Sequence, residues 1–301
     1  MDEWLGEHPP VPDDADVARL LLGEEDPPVE GEGQVRGERE AVHHGLDGGL
    51  RGRRAYRHRH QGQNGEDDEG SGDHCWWSLR SEAATKGTNR GGALLRIDHV
   101  VLAVGDLEAA AAFVWDELGL GSVPGGRHPG WGTGNRVVPL GDAYVELLAV
   151  LDPVEAASSP VGRWIANASR SGDRLVAWCA STDDIEAAAE RLGLVVAPAS
   201  RSLPDGRTLT WRSAAFDRVA EHPDLPFFIA WDGPAELHPG RARVEHRVEP
   251  LGIAWIEVAT APGSLRAWLG AEEVPVRVMA SSEPGVRAVG IQTARGEIVL
   301  R

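Results

Sequence analysis

The stretch DLEAAA at residues 106–111 returns as DIEAAA at 184–189, 78 positions later, and each copy follows an apolar run. LLRIDHVVLAV (94–104) reads as a strand, and DLEAAAAFVWDELG (106–119) as a helix capped by Asp106 and ended by Gly119. RVVPL (136–140) and AYVELLAVL (143–151) read as two further strands around a Gly141-Asp142 turn. In the second copy RLVAWCAST (174–182) is the strand and DIEAAAERLG (184–193) the helix. VVAPASRS, RTLTWRSAAF and PFFIAWDG (226–233) supply three more strands, the first two joined at Leu203-Pro204-Asp205-Gly206. A shorter third copy runs through PLGIAWIEVAT (250–260), a helical PGSLRAWLG (262–270), VPVRVMA and GVRAVGIQTARGEIVLR. Repeated supersecondary units of this size must pack their sheets together to close a core.

The first 93 residues have a different texture. They hold 25 residues of the AVILMFWYC set, with no isoleucine and no phenylalanine, in charged, Gly-rich and aperiodic stretches. Such a segment cannot bury enough apolar surface to offset its ordering entropy, so residues 1–93 are expected to be a disordered extension. The single lysine, Lys86, beside 29 arginines suggests a GC-rich coding sequence in which an upstream start is easily misassigned. Intact-mass analysis of the native protein decides whether that extension is translated. The remainder divides into a paired-module region, 94–235 (modules 94–151 and 174–233), and the third unit, 250–301.

Charge excludes some partners. The net charge of −17 argues against non-specific nucleic-acid binding and anionic membrane surfaces. The basic stretch RGRRAYRHRH is followed by an acidic run and reads as a solvated tail. Nothing approaches an apolar membrane span or a signal peptide, so a cytoplasmic location is expected. Cys75 and Cys179 form neither a disulfide framework nor a zinc pattern.

RIDHVVLAVGDLEAAA, GGRHPGWGTGN and GDAYVELLAV together resemble the first module of the glyoxalase-like domain, within the vicinal oxygen chelate superfamily. The resemblance implies an α+β fold of repeated βαβββ modules whose curled sheets form an open cup. It also implies a divalent metal held there by His or Glu side chains, one from the first and one from the last strand of each module. Lyase, isomerase or dioxygenase chemistry on a small molecule would follow, with the metal stabilising developing negative charge.

His99 and Glu146 occupy the expected positions in module one and are the candidate metal ligands, for Zn, Mn, Fe or Ni, and the candidate catalytic pair. Strand alternation places His99 with Ile97, Val101 and Ala103, and Asp98 on the opposite face with Val100. Module two offers Ala177 and Ala230 where ligands are expected. Two ligands hold a catalytic metal poorly; Glu257, His128, His222 and His238 are the available replacements. Without a metal, Glu146 becomes the general base. Ligand contacts are expected from Trp131, Asn135 and Arg136 on the Gly-rich loop. Arg201 and Arg212, with Trp211, would pair with a substrate carboxylate or phosphate. Trp115, Trp164, Trp178, Trp231, Trp255 and Trp268 read as packing residues. The alternative function is non-catalytic sequestration of a small molecule. A homodimer is a further expectation, from the atypical third copy.

Overall fold

The computed structural model describes residues 94–203 and 206–301. The expectations for residues 1–93, Cys75 included, and for the centre of the 203–206 turn lie outside the described residues. Two sheets make up the fold. One has eight strands and the other four.

The first module is β1 (Leu95–Ala103), α1 (Leu107–Leu118), β2 (Val123–His128), β3 (Thr133–Pro139) and β4 (Tyr144–Val150). Asp106 caps α1 by accepting from the backbone N–H of Glu108 and Ala109, and Gly119 ends it at φ 69°. After β4 come two short helices, α2 (Pro153–Ser158) and α3 (Pro160–Ser169). The second module repeats the order as β5 (Arg174–Thr182), α4 (Ile185–Leu192), β6 (Val196–Ser202), β7 (Thr208–Ala214) and β8 (Phe227–Trp231). In each module the first strand pairs in parallel with the last, and antiparallel pairing of β1 with β5 joins the two into the order β2-β3-β4-β1-β5-β8-β7-β6. The Gly-rich stretch expected as a loop is instead a hairpin, since β2 runs to His128 and β3 begins at Thr133.

The third unit, β9 (Pro250–Thr260), α5 (Ser264–Leu269), β10 (Val276–Ala280), β11 (Gly285–Thr293) and β12 (Gly296–Leu300), keeps the element order of the modules. Its strand order differs: β9 sits between β10 and β11 rather than beside the last strand. It packs on the outer face of the large sheet. There Val100, Leu102 and Trp178 meet α1 through Val114, α4 through Ile185, and the small sheet through Ile256 and Val289 in one apolar cluster. A second cluster lines the inner face, with Val101, Ala103, Cys179, Phe227 and Ile229 under Ile165 of α3. The large sheet is therefore covered outside by helices and a sheet, and curls inside around a cup.

Between β8 and β9, residues 232–249 are strapped onto module one. Gly141 N–H donates to Gly240 O at 2.9 Å, Arg247 N–H to Gly119 O at 2.7 Å, and the Arg241 guanidinium binds Asp142. Gly240 has no room for a side chain, because a Cβ there would overlap the carbonyl of Ala143.

Candidate functional site

The cup encloses a cavity of about 210 Å³ lined from both modules, from His99 and Glu146 on one side to Ala177, Phe227 and Trp231 on the other. Its wall is mostly apolar, with seven Trp, Tyr and Phe side chains among the lining residues. The His99 ring stacks on Tyr144 at 4.4 Å between centroids and meets the edge of Phe227, while Trp131 stacks on Phe216 at 5.3 Å. Trp164, on the segment between the modules, also faces this space.

One irregularity in β1 organises the polar side. Ile97 pairs with Ala180 and His99 with Cys179, so Asp98 is an extra residue in the strand. This bulge resets the alternation. Leu95 and Ile97 join Val100 and Leu102 in the outer cluster. Asp98, expected on the outer face, instead reaches side chains on the inner one. Asp98 is only 1% exposed and His99 3%.

Asp98 Oδ1 accepts from His99 Nδ1 at 2.6 Å. Its Oδ2 accepts from Trp231 Nε1 at 2.8 Å and His238 Nε2 at 3.2 Å. Burial alone would push this carboxyl up, but the hydrogen bonds from His238 and His99 outweigh it and hold the group well below the ordinary carboxylate range. An ionised carboxylate only accepts, so His99 carries its proton on Nδ1 and leaves Nε2 for the cavity. His238 is fixed likewise: its Nδ1 accepts from Gly240 N–H at 3.1 Å, so Nε2 is the protonated nitrogen.

Glu146 follows from β4 pairing. His99 lies beside Tyr144 and Val101 beside Glu146, on the same face. Asn135 Nδ2 donates to Glu146 Oε1 at 2.5 Å, and Asn135 Oδ1 accepts from Gly126 N–H at 2.7 Å. That amide sits where Gly125 has no side chain; a Cβ at 125 would overlap Asn135 Oδ1. Gly125→Ala is therefore expected to turn Asn135 away and release Glu146, lowering turnover or ligand affinity about tenfold while costing roughly 1 kcal/mol of stability. Steady-state kinetics or calorimetry, beside a thermal melt, measures both.

Several expected site residues meet here and others do not. Trp131, Asn135 and Arg201 line the cavity; Arg136 and Arg212 do not. Asn135 and Arg136 are neighbours on one strand, so only one faces inward. Arg136 turns to α1 and binds Glu108 at 2.9 Å and Ser122. Arg212, beside inward-facing Trp211, turns to α4 and is held by Glu186 and Asp232. The two pairs are counterparts, since Glu108 and Glu186 hold the same place in the repeat. Ala177 lines the cavity, but Ala230 belongs to the outer cluster. Val101 pairs with Glu146 and its repeat counterpart Cys179 pairs with Phe227, so the residue opposite Glu146 in module two is Phe227. His128 lines the cavity and binds Thr133 at 3.0 Å; burial pushes its pKa down, keeping it neutral. Glu257 lies on β9, in the small sheet, and His222 is not among the lining residues. The sequence assigns no role to Asp98 or Tyr144 and offers His238 only as one of four replacement ligands; the bulge and the 232–249 strap bring Asp98 and His238 together.

Among the described residues one trio, Asp98, His99 and Cys179, places possible metal-ligating atoms within 4.8 Å of one another. The donor chemistry fits a metal badly. Both Asp98 oxygens are engaged, His99 Nδ1 carries a proton, and burial with the Asp98 and Glu146 charges raises the Cys179 thiol well above its usual range. Coordination through His99 Nε2 and Glu146 would leave Asp98 as an orienting partner but provide only two ligands.

Residues 97–272 match the family model described as the glyoxalase-like domain. The chain belongs to the glyoxalase-like domain family. A solved protein from Staphylococcus aureus, described as hypothetical, is 17% identical with a TM-score of 0.51, covering 68% of this chain and 98% of its own. It shares the fold. Methylmalonyl-CoA epimerase from Mycobacterium tuberculosis is 20% identical with a TM-score of 0.33, covering 46% of this chain and 88% of its own. A mutant 4-hydroxymandelate synthase from Streptomyces coelicolor is 18% identical with a TM-score of 0.41, covering 69% and 63%. A search of curated proteins found no match. Among the described residues no helix is long and apolar enough to cross a membrane.

Proposed function

We propose that this glyoxalase-like cup binds a small organic molecule and moves a proton on it, as an isomerase or lyase, without a metal ion. The observation that carries this reading is the Asp98–His99 pair, whose Nδ1 is committed to a buried carboxylate while Nε2 is left for the cavity. His99 takes a proton at Nε2 from a carbon next to a carbonyl, and Asp98 stabilises the imidazolium that forms. Returning that proton to a neighbouring atom completes an isomerisation; delivering it to a leaving group completes an elimination. Glu146, in the same cavity, serves as the second proton carrier. The aromatic wall excludes water and strengthens each charge interaction inside.

Non-catalytic sequestration is the second reading, favoured by the apolar half that Ala177 and Phe227 contribute. The two readings separate in heavy water. Proton NMR of a panel of small carbonyl compounds with the protein is expected to show carbon-bound hydrogen exchanging with solvent, at a rate unchanged by chelator. Elemental analysis of protein purified without chelator is expected to give well under one divalent metal per chain. Exchange that chelator abolishes and a divalent metal restores would refute the metal-free mechanism. Tight binding without exchange would favour sequestration.

A further inference from the structure

We propose that the guest of the cup is a small carboxylate monoanion with a flat apolar body, and that Arg201 selects it. The inference rests on the cup being a small-molecule site and names the class of molecule. Arg201 lies on β6, one end strand of the large sheet, and lines the cavity. Its side chain crosses the opening to β2, the other end strand, where a Cβ on Gly126 would come within 3.3 Å of Arg201 Cδ. Its charge is felt at His128 and Tyr144, two further residues of the cavity wall.

Among the described residues Arg201 is the only Lys or Arg that lines the cavity. Arg96, Arg136, Arg212, Arg241 and Arg247 each stand against an Asp or Glu. Among the described residues no carboxylate lies within ion-pair distance of Arg201, in a chain with 47 acidic residues against 30 Lys and Arg. A half-buried guanidinium beside aromatic walls is recognition-ready for a planar carboxylate, which it can bind through two parallel hydrogen bonds. The remaining wall, Trp131, Phe216, Trp211 and Leu209, asks for an apolar body. A volume of about 210 Å³ suits one ring with a short side chain, not a nucleotide. Glu146 and ionised Asp98 disfavour a second negative charge on the guest.

The test titrates the full-length protein by tryptophan fluorescence and calorimetry with phenylacetate and with its neutral isostere phenylacetamide. Wild type is expected to bind phenylacetate about tenfold or more tightly than the amide. Arg201→Met is expected to bring that ratio to about one, and Arg201→Lys to restore part of it. Equal affinities in wild type, or a preference surviving in a folded Arg201→Met protein, would overturn the assignment of charge selection to Arg201. Binding of both probes without preference would leave the cup a small-molecule site and remove only this inference. Binding of neither would remove both. Should Arg201→Met fail to fold, the wild-type ratio together with the Arg201→Lys ratio still decides.

Discussion

Asp98→Asn is expected to lower turnover by roughly three orders of magnitude while the chain still folds. The amide oxygen can replace Oδ2, which serves both Trp231 and His238, and that choice turns the amide N–H₂ toward His99 Nδ1. Two donors cannot face one another, so His99 must move its proton to Nε2. The nitrogen facing the cavity then has no lone pair to accept with. Asp98→Ala is harsher: it leaves three donors without their acceptor and is expected to cost about 3–5 kcal/mol of stability. Acid carries the same signature. Because the folded-state pKa of Asp98 is depressed, its contribution is present in full above the unfolded carboxylate range, near pH 4, and is lost as pH falls through the folded value. Thermal melts from pH 7 to pH 3 should show wild type losing stability below about pH 4 more steeply than Asp98→Asn. Parallel curves would mean that Asp98 is not the buried anion.

Glu146→Gln is expected to reduce exchange or turnover roughly 10²–10⁴-fold with little change in melting temperature. The side chain keeps its shape and can still accept from Asn135, so only its capacity to take a proton is lost. In a cup that merely binds, the same substitution should weaken affinity by about 1–3 kcal/mol and change nothing else. Full activity in the variant, on a substrate that wild type turns over, would remove Glu146 from the mechanism.

Much of the fold was legible because its signals are local. Asp106 and Gly119 bracket α1, the runs 174–182 and 250–260 coincide with β5 and β9, and the DLEAAA repeat marks the duplicated module. The helices over 153–169 had signals that went unread: Asp152 before Pro153 and Ser159 before Pro160 are each a cap followed by a helix-starting proline. The candidate site was half legible. His99 and Glu146 share one face of neighbouring strands, two positions apart in register, but alternation misplaces Asp98, because an extra residue in β1 leaves no mark in composition or periodicity. Arg136 is a donor beside the Gly-rich stretch and Arg212 sits on the second module's hairpin, but strand parity sends each to its own module's helix. The small sheet was legible in its elements but not in its pairing, which long-range packing decides.

The bulge at Asp98 also bears on how the pair comes into being. Most paired acids and bases are gathered from distant parts of a chain, and closing the intervening loop sets an entropic cost on their meeting. Asp98 and His99 are covalent neighbours, so no loop has to close, and their encounter is complete once β1 takes its register against β5. Drift elsewhere in the molecule cannot pull them apart. The same economy makes the pair brittle in one respect. Removing a single residue from the bulge restores regular alternation and rotates one member of the pair out of the cup, so an in-frame deletion there would be far more damaging than substitutions nearby.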